Sequence, residues 1–368
     1  KPALNFLSDN YIVSKLDIFL KTAISTNASD LHITANTKPS LRIDGKLMPI
    51  KIDPLTKEET QAIILSSIDE EKRKALEENF EIDYSYSLPS GERFRVNAYK
   101  SQGTYEAVFR TIRSESSDLA ALNIPETVYE LVNHANGLVL IVGATSSGKT
   151  TTLGALIDYI NREKELRIIT IENPVEIIHP NKKSIISQRE IGLDTKDFPT
   201  ALRSALRQDP DVIVIGEIRD RETAAIALEA AQTGHLVLST LHAGDTGDSI
   251  SRFANIFPEE DRQNVREMFA ESMKGVVAQR LGKDVDGNRI PVVEILVNSL
   301  RVSENIKGKE HATINEIINA SATYGMQTFE DSIVKLVSLE RITPAMARLL
   351  ATDEASIVLR MKKQGIAI

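Results

Sequence analysis

A glycine-rich octapeptide, GATSSGKT at residues 143–150, has the residue types and spacing best suited to chemistry. It fits G-x-x-x-x-G-K-[S/T], the pattern of a loop whose backbone N–H groups close around phosphate oxygens. In such a loop Lys149 reaches the β- and γ-phosphates and the Thr150 hydroxyl holds Mg²⁺. The residues predicted to contact a bound nucleotide are Gly143, Thr145, Ser146, Ser147, Gly148, Lys149, Thr150 and Thr151.

The residues on either side of this loop supply the context that the pattern requires. An apolar run at 137–142 predicts a strand that leads into the loop, and residues 151–160 are compatible with a helix that follows it. A helix in that place adds its positive dipole to the phosphate site. The order of strand, loop and helix favours a phosphate-binding loop over a glycine turn with a solvated lysine.

Two carboxylates each follow an apolar strand. Glu217 ends the run VIVIGE and Glu172 ends the run IITIE. Parallel strands bring their carboxyl ends to one crevice, so both acids are expected near the phosphate loop. We interpret both as catalytic candidates, and Glu217 also as an Mg²⁺ ligand beside Thr150 or as the group that orients the attacking water. The alternative is that they are solvated loop carboxylates, and Glu176 is interpreted as structural.

Two histidines bracket the predicted strand 236–241. Metal binding is disfavoured, because no third type of ligand clusters near them. His242 is interpreted as a sensor of the phosphate state and joins the catalytic candidates, whereas a structural and a functional role remain equally open for His235. The other histidines are interpreted as structural: His32, His134, His179 and His311.

A hairpin in the first third of the chain suggests an anion contact. If Gln102 and Gly103 form its two-residue turn, Arg95 lies directly opposite Arg110. Like charges opposite one another destabilise a sheet, so an anion between or above them would explain the pair. We therefore predict that Arg95 and Arg110 contact nucleotide phosphates, including those held by a neighbouring subunit. The alternative is local neutralisation by Glu92 and Glu106.

Further arginines lie near the predicted crevice. Arg207 or Arg219 could act across a subunit interface, and ion pairing with Asp209, Asp211 or Asp220 is the equal alternative. Asp211 is interpreted as a structural turn residue.

Composition limits the class of protein. The chain has 368 residues with a formal net charge of −8 and no cysteine, which excludes disulfides and thiolate metal sites. The acidic balance disfavours a broad nucleic-acid surface. No apolar run approaches the roughly 20 residues of a membrane span. These features predict a cytoplasmic protein with no nucleic-acid partner and no direct membrane insertion.

Two domains are predicted. Residues 1–113 combine helices with strands and hairpins, residues 114–124 form a linker, and residues 125–368 alternate strands with helices. The predicted strands of the second domain are 138–142, 167–171, 184–187, 212–215, 236–240 and 292–296; its predicted helices are 150–161, 198–207, 223–233 and 259–279, with a helical end from 328 to 368.

Taken together, these stretches resemble the secretion ATPases, most closely the PilT/PilU-like pilus-retraction branch. The resemblance covers nearly the whole chain, beginning at ASDLH, residues 28–32. Its further motifs are the arginine-bearing strands at 93–98 and 108–112, an aspartate box at 169–176, a Walker B region at 205–220 and a histidine box at 233–243. Asn173 stands where the family usually has aspartate, which leaves Glu172 as the candidate base.

The resemblance implies an α/β fold with a PAS-like α+β domain before a RecA-like P-loop ATPase domain. It implies a homohexamer that binds ATP and Mg²⁺ and drives pilin removal, hence twitching motility. The implied partners are a PilC-like platform protein, at the cytoplasmic face of the inner membrane, and a paralogous retraction ATPase. The lack of cysteine fits this branch, since extension and type II secretion relatives usually carry a four-cysteine zinc module.

Some features keep alternatives open. The principal retraction motor carries a basic-apolar motif, A-I-R-N-L-I-R-E, which residues 299–307 match poorly. Residues 325–329, further on, match well, and the long tail is closer to that of the accessory motor. A type IV secretion ATPase, a RecA-like DNA motor and a nucleotide-binding module without turnover are the rival functions. The acidic balance disfavours the DNA motor, and the two glutamates disfavour the inert module.

Overall fold

The computed structural model describes residues 9–43, 45–112, 122–308 and 313–366. The chain forms two compact units, residues 1–114 and 115–368. Most of the predicted linker, residues 114–121, and His311 lie outside the described residues. Within the described ranges, none of the helices is both long and apolar enough to cross a lipid bilayer.

The first unit is an antiparallel sheet packed against helices. Its strands follow the order β3-β2-β1-β6-β5-β4. The strands are β1 Asp30–Ile33, β2 Ser40–Ile43, β3 Lys46–Pro49, β4 Glu81–Ser87, β5 Arg93–Ser101 and β6 Thr104–Thr111; the helices are α1 Asp9–Ser25, α2 Lys57–Ser66 and α3 Glu70–Asn79.

Local sequence explains these helices. Leu16, Leu20 and Ala23 recur at helical spacing on α1 and are fully buried against the sheet. Helix α2 begins at a capping box in which Thr56 and Glu59 each accept a bond from the other's backbone N–H. Both features depend only on neighbours along the chain.

The hairpin of β5 and β6 has the predicted turn and register. Gln102 and Gly103 have φ of 46° and 80°, and Arg95 lies opposite Arg110. The charges of the two arginines are offset by two aspartates, Asp30 and Asp83. Arg110 Nε lies 2.8 Å from Asp30 Oδ1, and Arg95 Nε lies 3.9 Å from Asp83 Oδ1. The suggestion that Glu92 and Glu106 neutralise them was therefore wrong.

The second unit is built on a seven-stranded sheet in the order β13-β12-β7-β11-β10-β8-β9. Strands β12 through β9 in this order are parallel, and only the edge strand β13 runs antiparallel. The strands are β7 Gly137–Val142, β8 Arg167–Glu172, β9 Ile185–Glu190, β10 Val212–Ile215, β11 Leu236–Leu241, β12 Met273–Lys283 and β13 Arg289–Val297.

Helices cover both faces of this sheet. Alternate residues of β7 serve two separate cores: Leu138 and Leu140 pack on one side, while Val139 and Ile141 pack with α5 on the other. The helices are α4 Thr127–Leu131, α5 Lys149–Glu163, α6 Phe198–Ala205, α7 Arg221–Gln232, α8 Thr246–Asn255, α9 Arg262–Ser272, α10 Leu300–Ile306, α11 Ile314–Ala320, α12 Phe329–Ser338, α13 Pro344–Leu350 and α14 Glu354–Lys363.

One predicted helix was wrong in its second half. The helix expected at 259–279 ends at Ser272, and residues 273–283 form β12. A Cβ on Gly275 would lie 2.5 Å from a Leu131 methyl, so the missing side chain admits α4 against this strand. The run of Val276 and Val277, both buried, favours a strand once a parallel neighbour is available. The α/β class is confirmed, and the PAS-like assignment of the first unit remains a prediction.

Candidate active site

The phosphate loop joins β7 to α5. Gly143 has φ of +156°, and a Cβ there would lie 2.4 Å from Ser147 Oγ and 2.5 Å from the carbonyl oxygen of Gln279. Gly148 has φ of +90° and caps α5, which begins at Lys149. Both glycines are required, because the loop turns tightly and meets β12. The first turn of α5 therefore points its N–H groups and positive dipole into the loop.

The lysine of the loop is held inside it. Lys149 is 8% exposed, and its Nζ donates to the carbonyl oxygens of Gly143 and Ala144, each at 2.8 Å. Burial lowers the pKa of this ammonium, and the charge of Glu217 opposes that shift. The ammonium thus lies within the loop that would surround phosphates, with an acid near enough to act on it.

A cavity of about 450 Å³ opens beside the loop. Its walls contain three predicted contact residues, Thr145, Ser146 and Ser147. The Ser147 hydroxyl is buried and has no hydrogen-bond partner among the residues that the structure describes. A phosphate loop with an unpartnered hydroxyl is chemically suited to an anionic ligand. The lining residues are Ala144, Thr145, Ser146, Ser147, Gly244, Gln279, Arg280 and Leu281.

Glu217 follows β10 and lies between two cationic or donor groups. Its Oε1 is 3.0 Å from His242 Nε2, and its Oε2 is 2.6 Å from an Arg219 guanidinium nitrogen. The loop after β10 is fastened to β11, since Thr240 Oγ1 donates to the Gly216 carbonyl at 2.7 Å. The structure therefore brings the predicted residues Glu217 and His242 together at the end of β11. Arg219 pairs with Glu217 instead of the aspartates suggested from the sequence.

Glu172 is the last residue of β8. Its Oε1 accepts hydrogen bonds from Thr170 Oγ1 at 2.6 Å and from Gln188 Nε2 at 3.1 Å. Burial raises the pKa of this carboxyl, and the charge of Glu176 adds to the shift. A Cβ on Gly216 would lie 3.3 Å from Glu172 Cα, so glycine lets the end of β10 pack closely against β8.

The strand order places Glu217 and Glu172 at different distances from the phosphate loop. One strand, β11, lies between β7 and β10, and two lie between β7 and β8. At about 4.8 Å per strand, β8 is roughly 14 Å from β7. Glu217 is thus the acid nearer to the loop, while Glu172 lies farther along the same edge of the sheet.

A sequence profile described as "Type II/IV secretion system protein" matches residues 6–363. This chain belongs to that family. The secretion-ATPase assignment is confirmed: the protein is a P-loop ATPase and binds nucleotide.

Several relatives resemble this secretion ATPase over most of their length. The type IV pilus retraction ATPase PilT of Pseudomonas aeruginosa is 40% identical over 321 residues, 87% of this chain and 93% of that protein. The type IV pilus ATPase PilU of the same organism is 36% identical over 351 residues, 95% of this chain and 92% of that protein. A crystal structure of the pilus retraction motor PilT with bound ADP has a TM-score of 0.85 at 39% identity, covering 93% of this chain and 98% of that one.

Other residues of the secretion ATPase have structural contacts. His235 lies before β11, at the end of the strand away from the phosphate loop, and its Nδ1 is 3.0 Å from the Ala230 carbonyl. Asp211 accepts a bond from the Arg167 backbone N–H at 2.7 Å, as expected of a structural residue. Asp220 caps α7. The contact of His235 suits a structural role, and that of Asp211 agrees with its interpretation as a structural turn residue.

Two glutamines of the site were not found from the sequence. Gln188 holds the Glu172 carboxylate and also donates to the Ile177 carbonyl at 2.8 Å. Gln279 bonds to the phosphate loop itself. No motif marked either residue, and Gln279 was placed at the end of a helix. Only the neighbouring strands β8 and β7 reveal their positions.

Proposed function

We propose that this secretion ATPase hydrolyses ATP to power retraction of a type IV pilus, and hence twitching motility. The observation that carries the proposal is Lys149 inside a phosphate loop with the paired Glu217 and His242 beside it. This chain is similar over 87% of its length to a protein named as a pilus retraction ATPase, and this similarity supports a role of the ATPase chemistry in pilus retraction.

The phosphate loop holds the triphosphate in this proposal. Backbone N–H groups between Gly143 and Gly148 surround the phosphates, with Thr145, Ser146, Ser147 and Thr151 contributing contacts. Lys149 exchanges its bonds to the Gly143 and Ala144 carbonyls for the β- and γ-phosphate oxygens. The buried Ser147 hydroxyl, which has no partner within the described part of the chain, gains an acceptor or a donor in the same step.

The donor set of the site fits Mg²⁺. Magnesium takes few protein ligands, a hydroxyl and a carboxylate with phosphate oxygens and waters, and Thr150 with Glu217 provides such a pair. When bound, Mg²⁺ would neutralise charge that develops on the phosphates. Glu217 and His242 also fix the position at which the γ-phosphate is sensed, since each restrains the other.

Glu172 is proposed as the general base. Its raised pKa brings the carboxyl closer to the operating pH, where a base is most effective. The bonds from Thr170 and Gln188 fix its orientation. The departure at Asn173 removes the neighbouring aspartate of the family, so Glu172 carries this role by itself.

Arg95 and Arg110 are proposed to contact nucleotide phosphates. Both arginine side chains remain substantially exposed, at 42% and 67%, although each has an aspartate near its Nε. Their remaining donors are available for an anion, and two adjacent guanidinium groups suit a polyphosphate. The proposal includes contact with the phosphates of a nucleotide that is bound to a neighbouring subunit.

The working form is proposed to be a hexameric ring in the cytoplasm, peripheral at the inner membrane. Movement of the first unit against the ATPase unit during turnover would act on a PilC-like platform protein and extract pilin. A paralogous retraction ATPase is a further proposed partner. The partial matches to both PilT and PilU are compatible with either a principal or an accessory motor.

Two experiments test the proposal together. Purified wild-type protein should hydrolyse ATP, and the Glu217→Gln variant should lose turnover. Deleting the gene should give hyperpiliated cells that no longer twitch, and only the wild-type gene should restore them. Loss of pili on deletion would contradict retraction and indicate extension or assembly.

A further inference from the structure

Gln279 occupies a position that no phosphate-binding motif describes. It lies on β12, the neighbour of β7, and is 3% exposed. Its Nε2 donates to the Ser147 carbonyl at 2.8 Å, and its Oε1 accepts from Thr152 Oγ1 at 2.7 Å. One side chain therefore joins the phosphate loop to the first turns of α5, with both ends of its amide satisfied.

The loop also meets Gln279 at both of its glycines. A Cβ on Gly148 would lie 2.6 Å from Gln279 Nε2, and a Cβ on Gly143 would lie 2.5 Å from the Gln279 carbonyl oxygen. The two glycines are thus needed for this contact as well as for the turn. The loop therefore packs against Gln279 of β12 at both its first glycine, Gly143, and its last, Gly148.

The chemistry of the contact requires an amide. Ser147 presents an acceptor and Thr152 presents a donor, and an amide supplies the complementary donor and acceptor on one planar group. A carboxylate would place an acceptor against the Ser147 carbonyl, and an apolar side chain would leave both partners unsatisfied in a buried place.

The strand that carries Gln279 is itself anchored. The next residue, Arg280, donates to the Leu350 carbonyl at 2.8 Å, and its guanidinium carbon lies 3.8 Å from the centre of the Phe329 ring. Because consecutive strand residues face opposite ways, Gln279 reaches the phosphate loop while Arg280 reaches α12 and α13. Gln279 therefore bonds to the loop from a rigid support.

We propose that Gln279 is a positioning residue that holds the phosphate loop in its nucleotide-binding shape, so that its amide sets the affinity for the phosphates of ADP and ATP. The inference rests on the proposed nucleotide site. A loop held in its bound shape before binding avoids the ordering cost at the moment of binding. Losing the amide should therefore weaken binding more than it slows turnover at saturation.

The test uses the full chain and four variants. Gln279→Met removes the amide at nearly constant volume, and Thr152→Val removes the second anchor. The double variant tests whether the two act together. The matched control is Gln327→Met, since Gln327 Nε2 likewise donates to a backbone carbonyl, that of Val293, at 2.9 Å, in the same unit. Dissociation constants for ADP come from calorimetry, and KM and kcat from ATP hydrolysis.

The expected results follow from one lost buried bond. Gln279→Met should raise the Kd for ADP and the KM for ATP about tenfold or more, which is about 1.4 kcal/mol, with kcat at saturation within about threefold. Thr152→Val should raise both by a smaller factor, and the double variant should be no worse than Gln279→Met. Gln327→Met should leave the Kd for ADP unchanged, even if its melting temperature falls as far as that of Gln279→Met.

Several outcomes would overturn the inference. These are an ADP affinity of Gln279→Met within about twofold of wild type, equal losses of affinity in Gln279→Met and Gln327→Met, or effects of the two anchors that simply multiply. If Gln279→Met does not fold, an unchanged Kd in Thr152→Val decides against the inference. Failure of the wild-type protein itself to bind ADP would instead contradict the nucleotide site, and would be distinguished by that control.

Discussion

Glu217 Oε1 lies 3.0 Å from His242 Nε2, and this contact joins the carboxyl end of β10 to that of β11. The second oxygen of the same carboxylate meets Arg219 at 2.6 Å. Glu217 is therefore restrained on both sides while its charge acts on Lys149 across the intervening strand end. Both contacts restrain the acid while its charge acts on Lys149, and the first two predictions depend on this restraint.

Replacing Glu217 with glutamine should abolish turnover but preserve binding. We expect kcat to fall about 10²–10³-fold, because the neutral amide neither holds Mg²⁺ nor orients water, with affinity for ADP within about fivefold. Steady-state ATPase assays and calorimetry measure the two quantities. Glu222→Gln is the control, since that exposed carboxylate pairs with Arg203 on the surface. Equal kcat values for the two variants would refute the role of Glu217.

His242 should act through the bond to Glu217. His242→Leu removes the donor and should lower kcat about tenfold or more, whereas His242→Gln keeps an N–H donor and should retain most activity. His235→Gln is the control at the opposite end of β11, where His235 Nδ1 lies 3.0 Å from the Ala230 carbonyl. If leucine and glutamine at position 242 lower kcat equally, the hydrogen bond is not what matters.

Glu172 should make stability depend on pH in a definite direction. Its pKa in the fold is raised, so the native protein binds a proton that the unfolded chain releases, and wild type loses stability as pH rises through the native pKa. Glu172→Gln lacks this loss. Its free energy of unfolding relative to wild type, from urea titrations between pH 4.5 and 8.5, should therefore increase with pH and then level off.

Glu176 offers a matched control for that experiment. Its charge helps to raise the pKa of Glu172, and Glu176 is exposed. Glu176→Gln leaves the carboxyl of Glu172 in place, so the pH dependence should persist with its midpoint moved to lower pH. A difference between Glu172→Gln and wild type that does not vary with pH would contradict the assignment. ATP turnover of Glu172→Gln should also fall about 10²-fold, as expected for a lost base.

His179 should make the protein sensitive to mild acid. Burial lowers the pKa of this histidine to about 4, against an ordinary 6.5, with Lys182 adding to the shift and Asp158 opposing it. A lowered native pKa means that stability is complete above 6.5 and is lost as pH falls toward 4. The loss is at most about 3 kcal/mol.

The variant His179→Gln tests this. It should be less stable than wild type at pH 8, where neutral histidine packs well beside α5. Between pH 6.5 and 4 its stability should decline less steeply, because the group that must be kept neutral is gone. Urea unfolding at several pH values gives both curves. Parallel curves over that interval would show that His179 does not carry the dependence.

Arg95 should matter for turnover far more than for folding. Its contact with Asp83 is long and exposed, and such pairs contribute about 1 kcal/mol or less. Arg95→Gln should therefore melt within about 3 °C of wild type while ATP turnover falls about tenfold or more. Lys100→Gln, an exposed cation on the same strand, is the control. A normal ATPase rate in Arg95→Gln would remove Arg95 from the nucleotide site.

Much of the candidate site could be predicted because it is local. The phosphate loop, the strand before it and the helix after it are contiguous in the chain, and the acids were recognised where apolar strands end. The hairpin register placing Arg95 opposite Arg110 followed from the length of its turn. The type and order of elements near these positions depend on short-range sterics and hydrogen bonding, which a single sequence records.

The rest required the tertiary structure. Residues 273–283 are a strand because β7 and β13 offer partners on both sides, and nothing within that segment by itself decides against a helix. Arg110 pairs with Asp30 of β1, and Glu172 accepts a bond from Gln188 of β9, so both contacts join strands that lie apart in the chain and were not foreseen. By itself the sequence determined which groups are available for phosphate chemistry; the packing of strands distant along the chain decided which side chains hold them, because hydrogen bonds form between neighbours in space.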